Sequence, residues 1–250
     1  MSKKEFVSPE GFRQDGRRVT ETRAVSMRLG GVCSNEADGS AYVEMGSTKA
    51  IAYVCGPMEK GRRRDANKGS VNVTFTMAPF ATQDRRRRSQ RDKISLEMAF
   101  AIRQTFEAAI LLDQIPRATV DIQVHVIEAG GGEKSAAIIA VCLALVDAGV
   151  PLNDLVVSAS AGIIGSTAMV DTSHDELGAA SANMTMAVEA STRKVLLLDL
   201  DAKIAQDQLD PLWEVCVQGC EHVLRLMQAT LKDNLRRMIS YNRSLEASTR

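Results

Sequence analysis

The chain has 250 residues, 45% of them hydrophobic, and its equal numbers of basic and acidic residues give a formal net charge of +0. This composition excludes a disordered chain, and the length allows one large domain or two small ones. A neutral chain does not by itself indicate a polyanionic partner, although the whole-chain charge averages over local differences.

The cysteines and the N-terminal residues indicate a cellular compartment. The five cysteines, an odd number, lie among apolar neighbours and are predicted to be reduced thiols. Cys216 and Cys220 could share a metal, but no second ligand pair accompanies them, so core cysteines are the simpler interpretation. The N-terminus has no apolar stretch of signal-peptide length, and the longest apolar run, 136–146, is too short to cross a bilayer. We therefore expect a soluble protein of the cytosol or nucleus.

The chain up to residue 78 is predicted to form strands. The segments AVSMRL, AYVEM and VNVTFTM alternate between apolar and other residues with a period of two, whereas KAIAYV is apolar on both faces. The turn signals ADGS and MGS separate these segments.

Helices and further strands follow. An amphipathic helix that ends before Pro116 is predicted by apolar residues at every fourth position, namely Ile94, Met98, Ile102, Phe106 and Ile110. The alternating segment TVDIQVHVI leads into a second helix over about 135–148, and LVVSASAGII, TAMV, MTMAV and KVLLLDL are predicted strands. Asp210 as N-cap and Pro211 as first residue indicate the start of a long closing helix.

The order of these elements favours one fold class. Strands, helix, strand, helix, strands and helix predict an α+β architecture rather than an alternating doubly wound sheet. We see no linker that would divide it. We expect an N-terminal arm over 1–20 and a single domain over 21–245.

The segment 59–93 is strongly basic. It carries eleven basic and four acidic residues, a local charge of +7 that the rest of the chain balances. Both arginine runs fall in predicted loops, where they either contact a phosphate backbone or are simply solvated. The aromatic content of 4% argues against a base-stacking surface. The candidate contact residues are Lys60, Arg62, Arg63, Arg64, Arg85, Arg86, Arg87, Arg88, Arg91 and Lys93.

The segment IEAGGGEKSAAIIA, 127–140, joins a strand end, three glycines and a helix start. Such a turn gathers backbone N–H groups that can bind an anion. Glu133, however, places a negative charge where the anion would lie. The segment is therefore a working phosphate site, a damaged one or a structural turn, and three glycines alone favour the structural turn.

The segment DTSHDELGAASAN, 171–183, carries Asp171, His174, Asp175 and Glu176. Its carboxylates could hold a metal or act as a general acid. A solvated loop between two strands is an equally good interpretation.

Taken together and in order, these segments resemble the ribonuclease PH family of phosphorolytic exoribonucleases. The resemblance rests on DGRR, ADGSAYVEMGSTKAIAYVCGP, MAPF, RQTFEAAIL, IPRATVDIQVHVI, AAIIAVCLALVDAGVP and the closing helix, and so covers nearly the whole chain. It implies a ribonuclease PH fold (ribosomal protein S5 domain 2-like), with mixed sheets packed against helices. Such domains pair and close into a six-membered ring around an RNA channel, and ADGSAY, RQTFEAAIL and DLVVSASAG are most similar to ring subunits of the eukaryotic RNA exosome.

The resemblance also implies the site positions. Active members attack the 3′-terminal phosphodiester of RNA with inorganic phosphate, which requires donors for the anion and an acid or metal at the leaving oxygen. Their hydroxyl residue and arginine after the glycines correspond to Glu133 and Lys134, their two aspartates to Leu177 and Asn183, and a further arginine to Ile94. Glutamate would repel phosphate, and lysine keeps the charge without the bidentate geometry. We therefore expect no catalytic residues, metal or cofactor.

The resemblance thus implies a non-catalytic exosome subunit that lines the channel with arginines and delivers RNA 3′ ends to a separate hydrolytic nuclease. One alternative is an active phosphate-dependent 3′-to-5′ exoribonuclease that uses Lys134 with Asp175 or Glu176. Another is a structural ring subunit without RNA contact. The implied partners are RNA, other ribonuclease PH-like subunits, S1/KH cap subunits and the hydrolytic nuclease, with no membrane. The expected location is the nucleus, including the nucleolus, and the cytoplasm, with roles in ribosomal RNA processing and RNA degradation.

Overall fold

A computed structural model describes residues 6–8, 10–31, 37–59, 68–85, 92–165 and 167–248, with the backbone alone for 242–248. This part of the chain forms two sheets and four α-helices, as the α+β prediction required. None of its helices is long and apolar enough to cross a membrane.

The first sheet has five strands in the order β1-β2-β3-β5-β4. Its neighbours are antiparallel except β4 and β5, which run parallel. A parallel pair needs a crossover connection, and helix α1, Lys93–Ala109, lies between these two strands in the chain. The strands are β1 Val25–Leu29, β2 Gly39–Met45, β3 Thr48–Glu59, β4 Ser70–Met77 and β5 Ala118–Glu128.

The amphipathic stripe predicted for α1 begins one turn later than expected. Ile102, Phe106 and Ile110 are buried, and Met98 packs against the core. Ile94 is exposed, whereas its neighbour Ser95 is the buried residue of the first turn. The prediction that Ile94 belongs to the packed stripe of this helix was therefore wrong.

The second sheet has four antiparallel strands in the order β7-β6-β8-β9. These strands are β6 Val156–Ile164, β7 Thr167–Val170, β8 Ala182–Glu189 and β9 Val195–Ala202. They correspond to the four short strands predicted from the last apolar segments. A short helix, α3 His174–Leu177, connects β7 to β8.

Helix α2, Glu133–Asp147, lies between the two sheets and contacts strands of both. Every residue from Ser135 to Leu145 is buried. A helix that is apolar all round needs partners on all sides, and the two sheets supply them. The helix begins two residues before the predicted start, so Glu133 and Lys134 belong to its first turn.

Helix α4, Leu209–Ser248, closes the fold by packing on β6, β7, β8 and β1. Its buried positions follow a helical spacing and are Leu212, Cys216, Cys220, Val223 and Met227. Asp210 lies inside the helix and is not its N-cap. The predicted start was late because a short 3₁₀ turn, Gln206–Gln208, runs directly into the helix.

No disulfide joins the four cysteines in the described part of the chain. Cys142, Cys216 and Cys220 are buried in the core. Burial raises the pKa of the Cys142 thiol to about 12, and the hydrogen bond with Cys220, together with burial, raises the pKa of Cys216. The Cys142 and Cys216 thiols therefore remain protonated, and all three buried cysteines pack as small apolar groups.

A buried ion pair between Arg13 and Glu176 helps to attach the N-terminal residues to the body. Arg13 inserts its guanidinium beside Glu176 of α3, with Nε donating to Oε1 at 2.8 Å and Nη2 donating to Oε2. Its other N–H groups donate to the carbonyls of Val170, at 2.5 Å, and Asp171, at 3.0 Å. Ser173 and Glu176 also form a capping box at the start of α3.

Replacing Glu176 by glutamine is expected to destabilise the fold. The change leaves the Arg13 charge buried without its counter-ion, which costs about 3–5 kcal/mol. Asp175→Asn is the matched control, since the neighbouring carboxylate is exposed and its loss should cost less than about 0.5 kcal/mol. Chemical denaturation of both variants measures the difference, and equal stabilities would contradict a structural role for the pair.

The same pair should make stability depend on pH. Burial alone would raise the pKa of Glu176, but the hydrogen bonds from Arg13 and Ser173 and the charge of Arg13 outweigh it, so the pKa lies below its ordinary value of 4.5. A lowered folded-state pKa adds stability above the unfolded value, and this stability is lost as the pH falls through the folded value. The stability gap between the wild type and Glu176→Gln should therefore be full at neutral pH and shrink below about pH 4.5. Denaturation at several pH values measures that gap.

Candidate functional site

The glycine turn, 130–132, connects β5 to α2 and lies against two other segments. A Cβ atom on Gly130 would lie 1.8 Å from Ser47 Oγ. Gly131 has a φ of +103°, and its Cβ would lie 2.5 Å from the carbonyl oxygen of Thr172. Packing therefore requires glycine here whether or not an anion binds.

Arg23, which precedes β1, holds this turn. Its Nη2 donates to the Gly131 carbonyl at 2.8 Å and its Nη1 to the Gly130 carbonyl at 3.0 Å. Asp171, at the end of β7, accepts from the Arg23 backbone N–H at 2.8 Å, from Nε at 2.9 Å and from Nη2 at 2.6 Å. One guanidinium thus joins the turn to the start of the first sheet and the end of a strand in the second.

The Arg23–Asp171 pair is buried, and the Arg23 guanidinium stays charged there. Burial would lower the pKa of Arg23, but hydrogen bonding to Asp171 and the nearby carboxylates raise it overall. Asp171 has a φ of +52°, a left-handed conformation that aspartate tolerates better than most residues. Thr48 completes the set, since its hydroxyl donates to the Gly131 carbonyl at 2.6 Å and accepts from the Gly130 N–H at 3.2 Å.

The anion position of the turn is filled by the chain itself. Glu133 Oε1 accepts a hydrogen bond from the Gly131 N–H at 3.1 Å. Lys134 donates through Nζ to Asp199 Oδ2 of β9, and most of its side chain is covered. A turn N–H and the adjacent cation, the two groups suited to bind phosphate, therefore both have carboxylate partners.

Four of the five site positions assigned by the resemblance line one cleft of about 170 Å³. They are Glu133, Lys134, Leu177 and Asn183. Ile94 does not line it, and Met98, one turn further along α1, does. Asp199 and Asp201 of β9 also face the cleft, so its lining carries three carboxylates and one cation. A lining with this charge repels phosphate.

Asp175 and Glu176, the carboxylates considered as substitutes for the family's aspartates, do not line this cleft. Asp175 is exposed and, with His174, lines a second cleft of about 540 Å³ on the other side of the turn. Glu176 is bound by Arg13. Lys134 lines the first cleft and Asp175 the second, so the structure does not bring the pair together. Among the described residues, no three His, Cys, Asp or Glu side chains are grouped to hold a metal.

The second cleft adjoins the basic segment. Its wall includes Lys49, which pairs with Glu128 at 2.8 Å, and the residues from Phe80 to Gln83 that precede the second arginine run. The ring of Phe80 is exposed. This cleft therefore combines an exposed aromatic ring with one cation, Lys49, and two carboxylates, Glu128 and Asp175.

Only two of the predicted RNA-contacting residues belong to the described part of the chain. Arg85 and Lys93 are both exposed, which leaves their charges available to a partner. In sequence the two basic runs flank β4, whose ends lie roughly 23 Å apart at 3.3 Å per residue. The predicted contact residues outside the described part are Lys60, Arg62, Arg63, Arg64, Arg86, Arg87, Arg88 and Arg91.

Sequence reasoning missed the residues that organise the site. Arg13 pairs with Glu176 and Arg23 with Asp171, and both pairs are buried. Neither arginine was considered, and the two carboxylates were considered only as metal, acid or catalytic candidates. The available signal was position, since Asp171 directly follows the apolar strand TAMV and Arg23 directly precedes AVSMRL. Charged residues next to core strands need a partner when they are buried.

Comparison with known proteins gives the family. Residues 21–151 match the model of the 3′ exoribonuclease family, domain 1, and residues 154–229 match domain 2. The chain is 39% identical to the exosome complex component RRP41 of Homo sapiens, over 94% of this chain and 97% of that protein. It is 40% identical to the RRP41 homolog of Arabidopsis thaliana, with the same coverage.

Solved structures share the fold. Rice (Oryza sativa) Rrp46 superposes with a TM-score of 0.77 at 23% identity, over 88% of this chain and all of that one. A chain of the Archaeoglobus fulgidus exosome with RNA bound to the active site gives a TM-score of 0.74 at 23% identity, over 86% and 92% of the two chains. The two family models together span most of the chain, and the full-length relatives agree with them. The chain therefore belongs to the ribonuclease PH family of 3′ exoribonucleases.

Proposed function

We propose that this protein is a non-catalytic ring subunit of an RNA exosome, which contacts RNA in the channel and passes 3′ ends to a separate hydrolytic nuclease. Its relatives are named as exosome components, and they match it over nearly their full length. The proposal includes pairing with other ribonuclease PH-like subunits, contact with S1/KH caps, and residence in the nucleus, nucleolus and cytoplasm.

One observation supports the non-catalytic role above all others: the Glu133 carboxylate accepts a hydrogen bond from the Gly131 N–H. Phosphorolysis needs inorganic phosphate held beside an RNA phosphate, so the site must attract two anions. The cleft instead presents Glu133, Asp199 and Asp201, and Lys134 is already paired with Asp199. At the positions of the family's aspartates, Leu177 has no ionisable group and the Asn183 amide is neutral, so neither can act as an acid.

RNA contact is supported by the distribution of charge. Arg85 and Lys93 are exposed at the borders of the second basic run, and Lys68, at the border of the first, is also exposed. Arginine and lysine on accessible loops bind phosphates without regard to base sequence, and the binding weakens with salt. The exposed ring of Phe80 adds one surface on which a base can stack.

A phosphorolysis assay tests the inactive site. The ring assembled with its partner subunits, but without the hydrolytic nuclease, is incubated with RNA, Mg²⁺ and inorganic phosphate. We expect no release of nucleoside diphosphates that depends on this chain. Release that disappears in a ring carrying Lys134→Ala or Asp175→Ala would instead support the active exoribonuclease.

Replacing Glu133 by serine should strengthen phosphate binding to the cleft. The change frees the Gly131 N–H and removes a like charge, whose repulsion at about 4 Å is roughly 1 kcal/mol in water, or about fivefold in affinity. Glu128→Ser is the matched control, because Glu128 borders the second cleft and not the first. Calorimetric titration with inorganic phosphate measures both variants, and an unchanged affinity in Glu133→Ser would contradict the explanation given for the lost anion site.

The channel-lining role is tested through charge. Changing Arg85 to Arg88 and Arg91 to serine should weaken protection of single-stranded RNA by the assembled ring and flatten its salt dependence. The slope of log affinity against log salt should fall by about 0.7 for each phosphate that the ring no longer neutralises. Arg193→Ser, an exposed arginine on the β8–β9 connection, is the control. Unchanged RNA protection would favour the purely structural ring subunit.

A further inference from the structure

The C-terminal part of α4 carries an uncovered apolar surface. Leu235, Met238, Ile239 and Tyr241 are 58%, 55%, 52% and 64% exposed. Their spacings of three and four residues place them on one side of the helix. Four large apolar side chains exposed together, rather than scattered singly, mark a contact surface. We call these four residues the α4 stripe.

The α4 stripe continues the face by which the same helix packs into the protein. One to three turns earlier, Met227 is buried, and Leu224 and Leu231 pack against the core. At 100° per residue, these three residues and the α4 stripe occupy the same side of the helix. A ligand on the stripe would therefore extend the existing packing surface beyond the edge of the body.

Basic side chains border the α4 stripe on both sides. Lys232 and Arg236 lie next to Ile239, and Arg237 lies one turn before Tyr241 on the opposite border. Arg237 also lines a cleft between α4 and β1, to which Arg28 contributes a further cation. The only acidic residue between 225 and 241 is Asp233, and the segment has a net charge of +3.

An apolar stripe between cationic borders is complementary to an amphipathic helix whose own stripe lies between carboxylates. A second copy of the chain fits poorly, because two α4 stripes face to face would bring two +3 segments together. RNA could bind the cations but would leave the apolar side chains in water. A helix is also the shape that matches a stripe repeating every three and four residues.

We propose that the α4 stripe binds an amphipathic α-helix of another protein, with leucine-type residues on the contact face and glutamate or aspartate on its borders. This site lies on α4, and none of its residues lines either cleft beside the glycine turn. It therefore stands independently of whether the chain is catalytic or lines an RNA channel.

A pair of model peptides tests the inference. Both are fluorescein-labelled helices with leucine at the two core positions of each heptad, and their border positions carry glutamate in one and lysine in the other. Fluorescence anisotropy with the full-length chain, alone and in its ring, measures binding. We expect the glutamate peptide to bind at least tenfold more tightly than the lysine peptide, with the preference reduced at high salt.

Two sets of variants locate the site. The double variant Leu235→Ser with Met238→Ser should bind the glutamate peptide at least tenfold more weakly than the wild type. Ala229 is exposed on the opposite side of the helix, so Ala229→Ser should leave the affinity unchanged. Arg236→Glu with Arg237→Glu should reverse the preference toward the lysine peptide. The charge-reversal pair keeps the test decisive if the serine variants fold poorly, and circular dichroism monitors folding.

Several results would overturn the inference. Equal affinity for the two peptides would show that the charges bordering the α4 stripe do not select the ligand. A wild-type dimer in sedimentation that the serine variants convert to monomer would assign the stripe to a second copy, and loss of ring assembly in those variants would assign it to a neighbouring ring subunit. Binding to anionic vesicles or RNA that the serine variants abolish would assign it to those ligands. Peptide binding should persist when Arg85 to Arg88 are changed to serine, which separates this test from that of the channel role.

Discussion

The buried ion pair between Arg23 and Asp171 is the interaction on which the rest of the site depends. The guanidinium binds a carboxylate at the end of β7 and two carbonyls of the glycine turn, and so connects the two sheets at the N-terminus of α2. Buried carbonyl groups without donors are costly, so the turn keeps its shape only while Arg23 stays in place. Because the pair is charged and covered, removing either partner would leave an uncompensated ion.

This arrangement makes the fold independent of the side chains that line the cleft. The turn is shaped by glycine packing and by Arg23, and α2 is held by apolar contacts with both sheets. Glu133, Lys134, Leu177 and Asn183 line the cleft and make none of the buried ion pairs that fix the turn. Side chains at these positions can therefore change with little cost to the fold. In the proposed role, such changes remove phosphate binding and leave the ring-forming domain intact.

Helix α4 serves two purposes along its length. Its first half closes the second sheet with small and medium apolar residues, among them Cys216 and Cys220. From Leu235 to Tyr241 the same apolar face continues, but no part of the described chain covers it. A subunit of an assembly can expose such a face, since partners bury it. The cationic borders then limit which partners are suitable.

The sequence alone determined the order and type of the elements. Period-two and period-four apolar patterns are local properties of the chain, and they predicted the strands and the long helices. The errors were small: Ile94 lies outside the buried stripe of α1, and α4 begins two residues before Pro211. The motifs around DGRR and ADGSAYVEMGSTKA indicated the family for the same reason, because they are contiguous.

Tertiary structure decided which charged residues meet. Nothing in the spacing of residues 13, 23, 171 and 176 pairs Arg13 with Glu176 or Arg23 with Asp171, since partners about 150 residues apart are brought together only by the packing of two sheets on α2. The same packing forms the ion pair between Lys134 and Asp199, and it places Lys134 and Asp175 in different clefts. Local pattern therefore specified the elements, whereas long-range packing specified the electrostatics of the site.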